Sequence, residues 1–302
     1  MRNKLTAIAA AGVLSLCSVA PTYARSVTQP GELVGLATGA PLPPGLYFVN
    51  TADWGCSNTD PQDTCIGLTI PVVAWSTPWQ ILGARLQFLF AWPALDVGVD
   101  STPDVPGVYQ AGFYNPAALV QLAWDLGGGW GFSYAIGAYF DNEPGVSWSD
   151  TSLNQRIGLS YTGGGWNITA NVVYGTHFDS LNTDNLRLVS PCLGRSDLAG
   201  FNCNPDFLNL DLTLTKTFGK WEFGPVAFGS WDVSDPANGY RNQQQFAVGG
   251  LIGYDFGPVK LQTYVTTDVS QDNYGGYDTR GWTRIIIPLG NPWPTPAPMS
   301  RR

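Results

Sequence analysis

Charge is scarce in this chain. Only 13% of its 302 residues are Asp, Glu, Lys or Arg, and 15 basic side chains face 23 acidic ones for a formal net charge of −8. Nucleic-acid binding needs a basic face that displaces counterions, so that class is excluded. Histidine occurs once, at His177, which rules out His-rich metal centres and leaves any relay of nucleophile and base a single imidazole. Long apolar runs are missing too. Beyond a leader at the N-terminus, no stretch reaches the roughly 18 residues of a spanning helix, so a helical membrane protein is excluded. What the chain has instead is 36 glycines and 13% aromatic residues.

The leader is Arg2 and Lys4 followed by the small, apolar run from Leu5 to Ala20. This is the pattern of a secretory signal peptide, and Thr22-Tyr23-Ala24 satisfies the small-x-small rule for cleavage before Arg25. Export leaves four cysteines, in two local pairs, each placed by the sequence in a long connection. An oxidising compartment favours disulfides over thiols. Three connectivities are open. Pairing neighbours, Cys56 with Cys65 and Cys192 with Cys203, closes short loops, each worth roughly 2.5–3 kcal/mol on the chain-entropy estimate. A metal site would need a nearby His and tighter Cys spacing, so neither metal nor cofactor is expected.

The body of the chain repeats one pattern: about ten residues of alternating polarity, a Gly-rich turn, and ten more, a length that crosses a bilayer as a tilted barrel strand. Copies lie at 117–126/130–140, 153–162/165–176, 206–217/221–232 and 244–255/258–268. Gly127-Gly128-Gly129 and Gly163-Gly164-Gly165 turn the first two, and Gly219-Lys220 and Gly257-Pro258 the others. Strand side chains alternate faces. Ala118, Val120, Leu122 and Trp124 therefore oppose Gln121 and Asp125; Ile157, Leu159 and Tyr161 oppose Asn154, Arg156 and Ser160. The strand at 130–140 sets Trp130, Phe132, Tyr134 and Ile136 against a face of only small residues, Gly131, Ser133, Ala135 and Gly137. A soluble sandwich would put Lys and Glu on its polar face, whereas Asn, Thr, Ser and Gly suit a narrow polar interior. Trp124, Trp130, Trp166, Trp221, Tyr161 and Phe256 sit beside the short turns, where an interfacial girdle belongs.

Adding strands near 45–53, 66–75, 82–93 and 279–289 gives an all-β fold, a transmembrane antiparallel β-barrel of about twelve strands in the outer membrane of a Gram-negative bacterium. Short turns face the periplasm and long loops the outside. Pro71 and Pro225 interrupt two of these strands, since proline cannot donate to a ladder. The expected organisation is a signal peptide at 1–24, a periplasmic N-terminal segment at 25–44, the barrel at 45–289 and a Pro-rich periplasmic tail at 290–302.

Asn115-Pro116-Ala117, the turn Tyr161-Thr162-Gly163-Gly164-Gly165-Trp166, and the block from Phe246 through Tyr254-Asp255-Phe256-Gly257-Pro258 to Thr267 resemble the phenol-degradation meta-pathway family of outer-membrane transporters. The resemblance covers about 115–289. It implies a channel for passive uptake of small hydrophobic or aromatic molecules, with outer-membrane lipid and a small solute as partners. One departure is the tail after Ile285-Ile286-Ile287-Pro288-Leu289, where such barrels commonly end on an aromatic residue.

Transport selectivity is set by what lines the pore. By parity Arg85, Gln87, Gln121, Asp125, Arg156, Asn171, Asp211, Lys260, Gln262, Asp268 and Arg284 point inward. They line a pore, pair across the lumen, or both. Asp96, Asp100, Asp104, Asp141, Glu143, Asp232 and Asp235 fall in the outer loops, where they make the mouth negative. A non-conducting structural or adhesive barrel is the alternative. A hydrolase would need His177 with Asp179 and a facing acidic pair drawn from Asp96, Asp100 and Asp104. No motif supports it, so no catalytic residue is expected.

Overall fold

The computed structural model describes residues 26–58, 63–101, 107–142, 146–147, 151–178, 204–235 and 241–292. The strands are β1 (Gly45–Ser57), β2 (Thr64–Ile81), β3 (Ala84–Ala91), β4 (Ala94–Val99), β5 (Val108–Phe113), β6 (Ala117–Gly127), β7 (Trp130–Tyr139), β8 (Ser152–Tyr161), β9 (Trp166–His177), β10 (Phe207–Phe218), β11 (Trp221–Asp232), β12 (Gln244–Asp255), β13 (Lys260–Asp272) and β14 (Asp278–Gly290). Every pairing is antiparallel. β1 pairs with both β2 and β14 and closes a 12-strand barrel, in which β2 is followed by β3 and then β6.

The hairpin β4–β5 is the upper part of two broken strands. β2 pairs with β3 through Val72–Ile81 and with β4 through Thr64–Thr69, so its partner changes at Ile70-Pro71. β3 and β4 are separated by Trp92-Pro93, and β5 and β6 by Tyr114-Asn115-Pro116. Three prolines without an N–H thus stand at one level of the wall, where a continuous ladder is not required. Pro71 does not end β2, which stays paired with β1 at Asn50. Pro225 likewise lies inside β11 opposite Gly250, while the β10–β11 register skips between Thr213/Val226 and Lys216/Phe223. Strands β4 and β5 thus lie between the strands expected near 82–93 and 117–126, where none was expected. β2 is also longer than expected, and its turn is Leu82-Gly83, both at positive φ.

The outward face is apolar. Val120, Ile136, Ile157, Ile168, Val248 and Ile252 are exposed at mid-strand. Trp130, Trp166, Trp221 and Phe256 are exposed at the short-turn end, as expected, and Trp54, Trp92, Tyr109, Phe140 and Phe178 form a second ring at the other end. This is the lipid belt with its two interfacial girdles.

The Cys56–Cys65 pairing is present, with one correction to its place. Cys56 and Cys65 lie not in a loop but directly opposite one another in β1 and β2, joined by a disulfide with Cα atoms 4.0 Å apart. Cys192 and Cys203 are outside the described residues.

Candidate functional site

The largest departure from the sequence reading is the segment before β1. Instead of lying in the periplasm, residues 26–44 run down the inside of the barrel from the long-loop end to the short-turn end. At the top, Asn209 donates to Ser26 Oγ at 2.9 Å and Asn154 to Thr28 Oγ1 at 2.8 Å. At the bottom, Ser76 donates to the carbonyl of Leu42 at 2.8 Å and Tyr47 to that of Pro43 at 2.9 Å. Between these ends the backbone coils in short turns, with Glu32 N–H donating to Gln29, Val34 to Gly31, and Leu36 to Leu33.

A coiled segment without a sheet partner must have its backbone groups satisfied from the side. The inward residues do this. Asp211 accepts from the N–H groups of Gly31 and Leu33 at 2.9 and 3.1 Å, and Thr213 from Gly35 at 2.7 Å. Arg284, fully buried, donates to the carbonyls of Glu32 and Val34, to Thr51 Oγ1 at 2.8 Å and to Gln262 Oε1 at 3.2 Å. Gln262 Nε2 donates to Gly35 O at 3.0 Å and to Glu222 at 2.9 Å. Gln121 donates to Thr38 O at 3.2 Å. Arg156 pairs with Glu32 at 2.9 Å and also donates to Asn154 and to the Tyr139 hydroxyl.

Several of the expected pore residues therefore bind the luminal segment, and Arg284 also meets Gln262. Arg156 and Arg284 meet neither Asp125 nor Asp211. Asp125 is exposed at the short-turn end, where it accepts from the Gly127 N–H. Arg85, opposite Ala123 in the β3–β6 ladder, donates to Thr77 O at 3.0 Å. Gln87 is buried, 3.3 Å from Ser76 Oγ. Lys260 pairs with Glu222 at 2.8 Å, and Asp268 accepts from Gln245 and from the Asp278 N–H near the opposite rim. Asn171 is buried and faces the lumen.

The small face of β7 now has its reason. Gly39 crosses it so closely that a Cβ there would come within 2.6 Å of the Ser160 nitrogen and 2.7 Å of the Gly131 carbonyl, and a Cβ on Gly131 would come within 2.7 Å of Gly39 O. Ser133 donates to Thr38 O, and Ser160 accepts from Gly39 N–H at 2.9 Å. The run Gly131, Ser133, Ala135 was the one sequence signal that something packs there. Segment positions Gly31 and Gly35 take positive φ, which any other residue would occupy only with strain.

Beside the segment lies a cavity of about 490 Å³. Its polar side is Asn171, Gln121, Ser133 and Tyr139; its other side is Ile70, Val72, Leu89 and Leu119, the inward residues of β2, β3 and β6. A uniformly polar interior was expected, yet this quarter of the wall is apolar on both faces. The pattern escapes sequence reading because such strands show no alternation. Below the opposite wall, Val34 packs into Val226, Phe228, Leu251 and Trp282.

Only part of the hydrolase candidate lies among the described residues. His177 ends β9 with its ring 6.0 Å from Phe207; Asp179 and Asp104 are outside the described residues, and Asp96 stands against Gly67 in the β2–β4 ladder. Among the described residues no His, Cys, Asp and Glu cluster is arranged to hold a metal ion.

The model of the MetA-pathway of phenol degradation family matches residues 50–285. The chain belongs to that family. Among solved structures, it is similar to an outer membrane channel from Pseudomonas putida F1, at 11% identity over 86% of this chain and 99% of that one, with a TM-score of 0.64. It also matches the β domain of the Bordetella autotransporter BrkA (10% identity, 80% and 98% covered, TM-score 0.47) and the CymD monoaromatic hydrocarbon channel (10%, 82% and 90%, 0.40). At these identities the first likeness shows the fold, and the other two carry no argument. No curated protein matches the chain in sequence. This member of the phenol-degradation family is a 12-strand barrel of the Gram-negative outer membrane.

Proposed function

We propose that the barrel is a channel for passive uptake of small hydrophobic or aromatic molecules. The observation that carries this is the 490 Å³ cavity, bounded by the luminal segment on one side and by Ile70, Val72, Leu89 and Leu119 on the other. Apolar side chains turned into the lumen contribute nothing to membrane insertion, and they favour an apolar solute at about 25 cal/mol per Å² removed from water. Family membership and the channel named in the Pseudomonas putida structure support the same reading. Charged solutes gain little, because the luminal carboxylates and guanidinium groups are already engaged.

A second reading, a non-conducting structural barrel, draws on the segment itself, which fills much of the lumen. Uptake separates the two. Cells with an intact lipopolysaccharide leaflet should take up labelled ethylbenzene faster when they carry this protein than when they do not. Equal rates, together with silence in planar bilayers, would sink the channel reading and leave the structural one.

A further inference from the structure

Two polar groups in the cavity are left over by the hydrogen bonding described above. Asn171 is 2% exposed, and its Nδ2 has no partner; Thr38 Oγ1, buried on the luminal segment, has none either. Both residues line the same cavity. They also converge. Asn171 on β9 stands directly opposite Gly158 on β8, and a Cβ on Gly158 would lie 2.8 Å from Thr38 Oγ1. Cross-strand neighbours have Cβ positions about 5 Å apart, and Thr38 Oγ1, with Ser133 Oγ and Gly39 N, fills the space a Gly158 side chain would take, which brings Thr38 alongside Asn171.

Buried polar groups in native proteins are nearly always paired with protein, water or ligand. Here the two groups share their cavity with an apolar wall. Every charged residue around the cavity is already in an ion pair, Glu32 with Arg156 and Glu222 with Lys260. An ionised ligand would meet no free counter-charge, and a pure hydrocarbon would leave both groups unsatisfied. A hydroxyl group both donates and accepts, so it serves an amide N–H and a threonine oxygen together.

We propose that Asn171 and Thr38 form a recognition point for small neutral molecules with an apolar body and one hydroxyl group, the body lying against Ile70, Val72, Leu89 and Leu119. The proposal rests on the uptake reading and narrows its solute class. Discrimination follows from the same asymmetry by which a site built to bond a hydroxyl disfavours the isostere lacking it.

Benzyl alcohol and ethylbenzene differ by hydroxyl against methyl and are the probes, with benzoate as the charged control. Calorimetric titration of the purified, heat-modifiable barrel should give benzyl alcohol about five- to tenfold tighter binding than ethylbenzene, the ratio one net hydrogen bond supplies, and no measurable binding of benzoate. Thr38→Val with Asn171→Leu should abolish the preference by weakening the alcohol while ethylbenzene binds as before or tighter. Thr38→Ser, which keeps the hydroxyl, should retain it. Should the double variant fail to fold, Thr38→Val alone, which leaves every strand intact, should still cut the preference. Equal affinities in the parent protein, or a preference that survives Thr38→Val, would overturn the proposal and spare the channel reading. Binding of neither neutral probe would overturn both.

Discussion

The Arg156 guanidinium on β8 and the Glu32 carboxylate on the luminal segment stand 2.9 Å apart, and both are largely buried. Each is the other's counter-charge at mid-barrel, so the pair ties the segment to the wall. Removing one partner leaves the other charge buried and alone, which costs about 3–5 kcal/mol. Arg156→Ala should accordingly lower the unfolding temperature and raise the open-state conductance, because the loosened segment lets ions past. The check is heat-modifiability against temperature alongside single-channel recording. A stability loss without any conductance change would mean that the segment stays seated without the pair.

Steric seating should matter as much as charge. Gly39→Val places methyl groups where Ser160 and Gly131 backbone atoms already stand, and core overpacking costs about 1–3 kcal/mol. Because the strands do not depend on Gly39 for pairing, the barrel should still form. The expected outcome is a folded barrel with higher conductance and faster proteolysis of the 26–44 segment than the parent; identical cleavage and conductance would contradict it.

Cys56 and Cys65 face each other across β1 and β2 in an exported chain. Non-reducing peptide mapping should recover a Cys56–Cys65 bridge. Replacing both by Ser should lower stability by no more than about 3 kcal/mol on the loop-entropy estimate, while leaving the barrel closed, since β1 is paired with β2 along its whole length. Loss of heat-modifiability in the variant would show that closure depends on the bridge.

At the mouth, Asp141 is exposed and carries no structural hydrogen bond through its carboxylate among those described, whereas Asp232 accepts from the Gln243 N–H at 2.8 Å. Asp141→Asn should therefore shift ion preference in reversal-potential measurements with little change in unfolding temperature. Asp232→Asn should do both. Equal thermal losses at the two positions would remove the distinction between a steering charge and a loop anchor.

The strands were legible because their information is local. Alternation along 117–127, 152–161 and 207–218 assigns each residue a face from its neighbours alone, and the glycine turns fix where the direction reverses. Arg156, Asn171, Asp211, Gln262 and Arg284 lie buried or largely buried inside the barrel. Asp125, inward by parity, is exposed at the short-turn end of β6.

The sequence by itself determined the barrel, its lipid-facing belt and the order of its strands, because a period of two and a turn are properties of a few consecutive residues. Only the tertiary structure decided what occupies the lumen. Glu32 meets Arg156, Gly31 meets Asp211 and Val34 meets Arg284 across separations of more than a hundred residues, and no periodicity in 26–44 announces those partners. The breaks at Pro93 and Pro116, and the apolar quarter of the inner wall, were hidden for a related reason: a strand with apolar residues on both faces has no alternation to read, and what its inner face touches is set by the chain that folds against it.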